Sequence, residues 1–206
     1  MKILIATKNR HKLIELQRIL APIGFEAVLE DDLGLTLPEV PETGTSFQEN
    51  AQLKAVSACE HSQIPSLADD SGLCVFALNG APGIFSARYS GDTGPNRDQA
   101  NTSLLLENMK TVPSHQRGAK FVCAICVAFP DGRLVEVTGE CHGEIAFAPE
   151  GNNGFGYDPV FLVNGICFAS LSGEEKDRLS HRGQALRKLK DKLSIDKIGL
   201  KTNFAR

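Results

Sequence analysis

A β-hairpin pattern between two helical stretches limits the folds that this chain can adopt. The apolar run Phe121 to Phe129 is followed by Asp131-Gly132, a common turn pair, and then by a second strand-like run, Arg133 to Glu140. Because the two strands of a hairpin are antiparallel, a sheet that contains them is not purely parallel. Together with the helical patterns on either side, the hairpin predicts an α/β fold built on a mixed sheet.

Strand-like and helical segments alternate along the rest of the chain. Apolar spacing and capping residues predict, in order, a strand at Lys2 to Ala6, a helix capped by Asn9, a helix that begins at Ser46, a helix from Arg97 to Lys110, a capping box at Ser172 to Glu175 and a helix after Ser180. The helix at Ser46 has an apolar face, and its other face carries Asn50, Lys54, Ser57 and His61. The pattern is weak after Leu193, so we expect one domain over residues 1–193 and a surface tail over 194–206.

Composition favours a folded globular protein. Of the 206 residues, 42% are hydrophobic and 23% are charged, which is ordinary for such proteins and enough to bury a core. The formal net charge of −3 argues against a protein that coats nucleic acid by bulk electrostatics. The apolar stretch Ile3 to Ala6 is too short for a signal peptide or a membrane span. We therefore expect a cytoplasmic location, with no membrane and no nucleic acid as a partner.

The cysteines do not predict a metal site. Cys123 and Cys126 lie three residues apart in a strand-like run, so their side chains leave opposite faces of the strand. They do not converge on one ion while that strand persists. We expect both to be buried core residues.

An acidic motif, Ala68-Asp69-Asp70-Ser71-Gly72, lies between two apolar segments. This setting predicts an acidic site at the edge of a strand. Adjacent carboxylates repel each other, so a site that uses both either binds Mg²⁺ or raises the pKa of one of them to make a base.

The segment Thr7-Lys8-Asn9-Arg10-His11-Lys12 lies where a strand is followed by a helix. Free backbone N–H groups, the helix dipole and the cationic side chains all favour an anion at such a position, so the segment is a candidate phosphate cradle. It has too few glycines for a Walker loop and lacks Gly-Lys-Ser/Thr. The alternative interpretation is a capped helix with solvated cations.

Lys54 and Glu42 are candidate members of the same site. Lys54 lies on the polar face of its predicted helix, where an exposed lysine without a ligand is the alternative. Glu42 and Glu49 both offer oxygen ligands for Mg²⁺. Because Glu49 already has a capping role, Glu42 is the better metal candidate.

A glycine-rich loop, Gly151 to Pro159, contains the aromatic residues Phe155 and Tyr157. A flat base can stack on Phe155, and the flanking glycines let the backbone approach the edge of that base. Alternatively, the loop is a tight turn that its aromatic residues anchor to the core.

The segment Ser180-His181-Arg182-Gly183 opens the last predicted helix. His181 and Arg182, helped by Lys176, are suited to donate hydrogen bonds to a phosphate or to the carbonyl of a 6-oxopurine. The alternative is a surface cap with a solvated arginine.

Six ordered blocks of this sequence resemble the inosine triphosphate pyrophosphatase family, which removes deaminated purine nucleotides. The blocks are Thr7 to Lys12, Ser46 to Ala51, Ala68 to Leu73, Gly80 to Tyr89, Gly154 to Pro159 and Ser180 to Gly183. The resemblance covers about residues 2–193. It implies a mixed α/β fold with helices flanking a long central sheet, two lobes around a substrate cleft, and a homodimer with Arg88 and Tyr89 near the contact.

The resemblance also implies a reaction, in which a purine nucleoside triphosphate is hydrolysed between its α and β phosphates with Mg²⁺. Asp70 would be the proton acceptor that activates water and a metal ligand, with Asp69 and Glu42 as further ligands. Thr7 to Lys12 and Lys54 would hold the triphosphate. The residues implied to contact the rest of the substrate are Ser71, Phe155, Gly156, Tyr157, Asp158, Lys176, His181 and Arg182.

Three other functions are compatible with the same residues. A phosphatase or a pyrophosphatase of ordinary nucleotides would use the same acids with a less selective pocket. A non-catalytic nucleotide sensor would hold Mg²⁺ on Asp69 and Asp70 without turnover. An interaction module would use Gly80 to Gly91 as an interface, but it leaves the polar clusters unexplained.

Overall fold

The computed structural model describes the backbone of residues 1–7 and 10–202, and their side chains except at 10, 11, 15, 19, 23 and 195–202. The strands are β1 (Lys2–Ile5), β2 (Glu26–Val28), β3 (Ser66–Val75), β4 (Gly118–Ala128), β5 (Leu134–Ile145), β6 (Phe161–Val163) and β7 (Ile166–Cys167). The helices are α1 (Arg10–Leu20), α2 (Phe47–Ser62), α3 (Arg97–Asn108), α4 (Gly173–Leu179) and α5 (His181–Thr202).

The strands form one mixed sheet in the order β2-β1-β3-β4-β5-β6-β7. β1 pairs in parallel with β2 and β3, whereas β6 pairs antiparallel with β5 and β7. The turn between β4 and β5 is closed by two hydrogen bonds of 2.9 Å, from the Phe129 amide to the Arg133 carbonyl and from the Gly132 amide to the Phe129 carbonyl. The predicted hairpin and the α/β class with a mixed sheet are confirmed.

The chain divides into two compact units, and each has its own core. The first unit comprises Met1–Asp70, Cys123–Gly139 and the residues from Arg182 onward, and the second comprises Ser71–Val122 and Glu140–His181. Buried residues at the centre of the first core include Ile3, Ile5, Leu16, Leu20, Leu67, Ile125, Leu186 and Leu189. Those of the second core include Leu73, Leu105, Met109, Phe121, Phe161 and Phe168.

The predicted capping residues Ser46 and Ser172 lie at the starts of α2 and α4, with one difference in detail. The Ser46 hydroxyl accepts a hydrogen bond from the Glu49 amide at 3.2 Å, as predicted. The Glu49 carboxylate, however, accepts its strong bonds from the amide and hydroxyl of Thr45, at 2.6 and 2.9 Å. These bonds lower the pKa of Glu49, with the Thr45 amide contributing most. At Ser172 the full reciprocal box with Glu175 is present.

Two helix ends differ from the expectation. α3 ends at Asn108 rather than at Lys110, and α5 continues through Thr202, so the segment after Leu193, expected to be a tail, begins as helix. The predicted cap Asn9 lies outside the described residues. No helix among those described is both long enough and apolar enough to cross a membrane.

The cysteines behave as core residues. Cys123 and Cys126 are both buried in β4, which confirms the sequence interpretation. Burial raises the pKa of the Cys126 thiol to about 12, and that of Cys141 in β5 to about 11. Both thiols therefore stay protonated in the folded protein.

Candidate active site

Asp69 and Asp70 are buried within β3 of the first unit. The expectation of an acidic site at the edge of a strand was wrong, because β3 runs from Ser66 to Val75 and contains both acids. Successive side chains of a strand point to opposite faces, so the two carboxylates diverge although their residues are adjacent. Each carboxylate contacts cations from different helices. These contacts compensate the negative charges, so two adjacent acids can be buried in one strand.

Asp69 faces α1 and α5. Its Oδ2 lies 2.9 Å from Lys12 Nζ and 3.6 Å from Arg182 Nη2, and its side chain is 1% exposed. Burial alone would raise the pKa of this carboxyl. The charges of Lys12 and Arg182 outweigh burial and hold the pKa of Asp69 well below its usual range.

Asp70 faces α2. Its Oδ1 lies 2.9 Å from Lys54 Nζ, and the same ammonium contacts Oε1 of Glu42 at 3.1 Å. Burial raises the pKa of Asp70, Lys54 counteracts this in part, and Glu42 adds to the increase, so the pKa lies above its usual value. Lys54 itself is kept charged, because the negative charges around it, Asp70 first, overcome the burial that would lower its pKa.

Asn50 is a site residue that the sequence did not single out. It is fully buried, its Nδ2 donates to Asp70 Oδ2 at 3.4 Å, and its Oδ1 accepts from the Gly44 amide at 2.8 Å. A Cβ on Gly44 would lie 2.6 Å from this Oδ1, so the close approach requires glycine. Asn50 thereby links the acid in β3 to the loop that carries Glu42. Its position one helical turn before Lys54 was the available signal.

The carboxylates of Glu42 and Asp70 fit a divalent cation. One oxygen of each converges on the same positive group, Lys54 Nζ. Mg²⁺ prefers one or two carboxylates together with oxygens of phosphate or water. Among the described side chains no group of three or more His, Cys, Asp or Glu is arranged to hold a metal, so the donor set suits an ion shared with phosphates rather than a closed protein cage. Asp69 faces Lys12 and Arg182 instead, and its role as a metal ligand stays a prediction.

Only part of the expected phosphate segment is described. Lys8, Asn9 and the side chains of Arg10 and His11 lie outside the described residues. The Thr7 amide donates to the Ile5 carbonyl at 2.9 Å, and Lys12 contacts Asp69 as given above. The phosphate cradle therefore stays a prediction.

In the second unit, the loop between Gly151 and Pro159 is organised around Asp158. Its Oδ2 accepts hydrogen bonds from Lys176 Nζ at 2.6 Å and from the Phe155 amide at 2.9 Å. Lys176 Nζ also lies 4.8 Å from the centroid of the Phe155 ring. Gly154 has φ +81°, and a Cβ there would overlap the Asp158 carboxylate. Phe155 stays partly exposed above this network.

Tyr157 has the anchoring role that the alternative interpretation assigned to it. The ring is buried among the core of the second unit, and its hydroxyl donates to the Ser86 carbonyl at 2.9 Å. Burial raises the pKa of this phenol. Phe155, by contrast, retains an accessible ring.

His181 and Arg182 are buried, so the interpretation of a solvated arginine at a surface cap was wrong. His181 is 4% exposed and stacks on Phe121, with ring centroids 4.7 Å apart and planes 12° apart. Arg182 is 3% exposed and belongs to the group around Asp69. Ser71, the first residue of the second unit, is partly exposed. Buried cationic groups of this kind are more typical of a ligand site than of a helix cap.

Comparison with known proteins supplies the family context of these residues. A sequence model of the Ham1 family matches residues 3–192. The dITP/XTP pyrophosphatase of Exiguobacterium sibiricum is 46% identical over 198 residues, which cover 94% of this chain and 98% of that protein. The dITP/XTP pyrophosphatase of Mannheimia succiniciproducens is 48% identical over 196 residues, 93% of this chain and 98% of that protein.

Two solved structures of similar proteins also cover most of this chain. A HAM1 protein from Coxiella burnetii superposes with a TM-score of 0.85 at 38% identity and covers 94% of this chain and 98% of its own. A nucleoside-triphosphatase, or dITP/XTP pyrophosphatase, from Mycobacterium abscessus superposes with a TM-score of 0.75 at 48% identity and covers 92% of this chain and 97% of its own. All of these similarities extend over more than nine tenths of the present chain.

Proposed function

This chain belongs to the Ham1 family, and from that membership we propose that it hydrolyses the non-standard purine nucleoside triphosphates dITP, ITP and XTP. The bond broken is the one between the α and β phosphates, and the products are the nucleoside monophosphate and pyrophosphate. The observation that carries this proposal is the group of Asp70, Glu42 and Lys54, in which one oxygen of the buried Asp70 and one of the partly exposed Glu42 contact the same ammonium. The pyrophosphatase name borne by the relatives supports the reaction class.

Asp70 is the proton acceptor in this proposal. Its pKa, raised chiefly by burial, makes it a better base than an ordinary aspartate. Asn50 donates to one of its oxygens and so fixes how the carboxylate is turned. The other oxygen contacts Lys54.

Positive charge is needed before water attacks a triphosphate, because the phosphate oxygens repel an approaching nucleophile. Mg²⁺, held by Glu42 and Asp70, would neutralise part of that charge and polarise the reacting phosphate. Lys54 and the segment Thr7 to Lys12 contribute further cationic groups. Asp69 contacts Lys12 and Arg182 at the other face of β3, and it is kept as a further proposed ligand of the metal.

Recognition of the base is assigned to one aromatic residue and three cationic residues. Phe155 offers a partly exposed ring for stacking, and Lys176, His181 and Arg182 offer donors. Donors favour the 6-oxo group of hypoxanthine and xanthine. The 6-amino group of adenine is itself a donor and would leave buried polar groups unpaired, so ATP is rejected.

We further propose that the enzyme is a cytoplasmic homodimer with its contact at the segment Gly80 to Gly91. Phe85 is 55% exposed there, with the Arg88 guanidinium 5.2 Å from its ring centroid, and the Tyr89 hydroxyl is bonded to Asn108 at 2.8 Å. An exposed aromatic ring next to an arginine is typical of interface residues. Gel filtration with light scattering measures the mass; a monomer at micromolar concentration would refute the dimer.

The reaction is tested by measuring pyrophosphate, orthophosphate and monophosphate released from dITP, XTP, ATP and GTP, with Mg²⁺ and with a chelator. We expect pyrophosphate and monophosphate from dITP and XTP alone, and none after chelation. Orthophosphate as the first product would indicate a phosphatase. Equal rates on ATP and GTP would overturn the selectivity, and tight binding without turnover would indicate a sensor.

A further inference from the structure

We propose that Asp98 and Thr102 of α3 are positioning residues that hold the loop Gly151 to Pro159 in the shape that accepts a purine base. They do so through hydrogen bonds to the backbone of one residue of that loop, Gly156. This inference rests on the proposed function, since it assigns a role to the loop that the proposal uses for base recognition.

Both backbone groups of Gly156 are hydrogen-bonded to α3, and all of these residues lie in the second unit. The Gly156 amide donates to Asp98 Oδ2 at 2.8 Å. The Thr102 hydroxyl lies 3.3 Å from the Gly156 carbonyl and 2.9 Å from the Asp98 carbonyl, and its single proton is shared between these two acceptors. Residues four apart lie on one face of a helix, so the amide and the carbonyl of Gly156 are engaged by the same face of α3.

Gly156 is a point at which the loop needs support from other residues. Its φ is +61°, a left-handed conformation that glycine adopts easily and leaves easily, because it has no side chain to restrict the backbone. Its neighbours are fixed by other means: Phe155 through the Asp158 carboxylate and Tyr157 through Ser86. Within the described part of the chain, the side chains of Asp98 and Thr102 contact the backbone of the residue between them, Gly156.

If Gly156 is held in place before the nucleotide arrives, nucleotide binding is stronger. A loop that is ordered before the ligand arrives does not lose conformational freedom on binding, whereas a mobile one does. A hydrogen bond to a carboxylate is about twice as strong as one between neutral groups. Loss of the Asp98 acceptor should therefore weaken nucleotide binding, while the chemical step at Asp70 and Glu42 is left intact once the substrate is bound.

Asp98 also has an ordinary structural role that the test must separate from this one. It lies in the first turn of α3, where a negative charge favours the helix through its dipole. That role depends on the charge. The hydrogen bond from the Gly156 amide, by contrast, needs only an acceptor oxygen. Asparagine also provides this oxygen, without the charge.

The experiment compares Asp98→Ala, Asp98→Asn and, as a control on the same exposed turn, Gln99→Ala, by steady-state kinetics on dITP. We expect Asp98→Ala to raise KM about tenfold and to change kcat less than about twofold, as for a lost hydrogen bond to a charged group. Asp98→Asn should recover most of the lost affinity, and Gln99→Ala should match the wild type. Thr102→Val should raise KM and Thr102→Ser should restore it.

Hydrogen exchange of the Gly156 amide gives a readout that does not depend on turnover. We expect faster exchange in Asp98→Ala than in the wild type or in Asp98→Asn. Equal increases of KM in Asp98→Ala and Asp98→Asn would overturn the inference in favour of the dipole role. Exchange at Gly156 that is unchanged in Asp98→Ala would overturn it as well, whether or not dITP is a substrate. Absence of dITP turnover by the wild type would instead refute the proposed function.

Discussion

Asp69 and Asp70 are adjacent residues of β3, yet the pKa of Asp69 lies below its usual range and that of Asp70 lies above it. Burial raises both pKa values. The difference comes from the neighbours, because Asp69 faces two cations, Lys12 and Arg182, whereas Asp70 shares one cation with a second carboxylate. The two acids therefore differ in environment, and this difference supports the proposal that Asp70, rather than Asp69, is the base.

The role of Asp70 as a base is tested by Asp70→Asn, which keeps the size of the side chain and removes its basicity. General-base catalysis contributes on the order of 10²- to 10⁴-fold, so kcat on dITP should fall by at least about a hundredfold. Binding of the product dIMP, measured by calorimetry, should stay close to that of the wild type. The exposed acid Asp31 offers a matched control, Asp31→Asn. Near-normal turnover by Asp70→Asn would remove Asp70 from this role.

The role of Asp69 is tested through stability, using Asp69→Asn. Breaking a buried ion pair leaves cations without a partner and should lower the free energy of unfolding by about 3 kcal/mol near pH 7. Urea unfolding at several pH values measures this difference, with Asp31→Asn as the control.

The pH dependence of that difference has a definite sign. The pKa of Asp69 is lowered in the folded state from an ordinary value of 3.8, so the unfolded chain binds the proton more readily. The stabilisation by Asp69 is complete above pH values near 5 and is lost as the pH falls toward the folded pKa. The wild type and Asp69→Asn should therefore converge in stability in acid. A difference that stays constant down to pH 3 would contradict the assignment.

Residues with local roles were predictable from the sequence, and residues with long-range roles were less so. Ser46 was identified as a cap because capping depends on positions three residues apart. Asn50 was placed on a polar face but not recognised as buried, because its burial depends on Asp70, twenty residues later in the chain. For the same reason the burial of His181 was missed, since it stacks on Phe121 of a distant strand.

Helix α2 carries both Asn50 and Lys54, so the residue that starts this helix supports the site. Ser46→Ala removes the acceptor for the Glu49 amide and should cost about 1 kcal/mol of stability. Ser46→Asp supplies another acceptor and should lose less. Chemical unfolding measures both variants. Equal losses in Ser46→Ala and Ser46→Asp would mean that the cap itself contributes nothing.

Elements with strong periodicity were predicted well, and short ones were not. α1, α2, α3 and the β4–β5 hairpin have apolar patterns long enough to be recognised. β2, β6 and β7 have three residues or fewer, too few for an alternating pattern to stand out. No bounds were predicted for β3, because adjacent aspartates and a glycine are unfavourable in a strand unless cations compensate the charges.

On the scale of the whole molecule, the sequence shows which residues are apolar but not which core they join. Leu67 and Leu73 are both buried in β3, yet the first belongs to the core of the first unit and the second to that of the second. Assigning them requires the pairing of distant strands. Each of the two compact units is built from separate segments that are interleaved along the sequence, and the expectation of a single two-lobed domain over residues 1–193 stays a prediction.

The buried, protonated thiols of Cys126 and Cys141 can be used to measure how often each unit of the protein unfolds transiently. Alkylating reagents attack the thiolate, so neither cysteine should react while it is buried. Cys126 lies in the first unit and Cys141 in the second. Pulse labelling with an alkylating reagent, followed by peptide mass spectrometry, therefore measures the rate at which each unit exposes its cysteine, within one sample. Equal rates identify a molecule that opens as a whole, and unequal rates identify the unit that opens first.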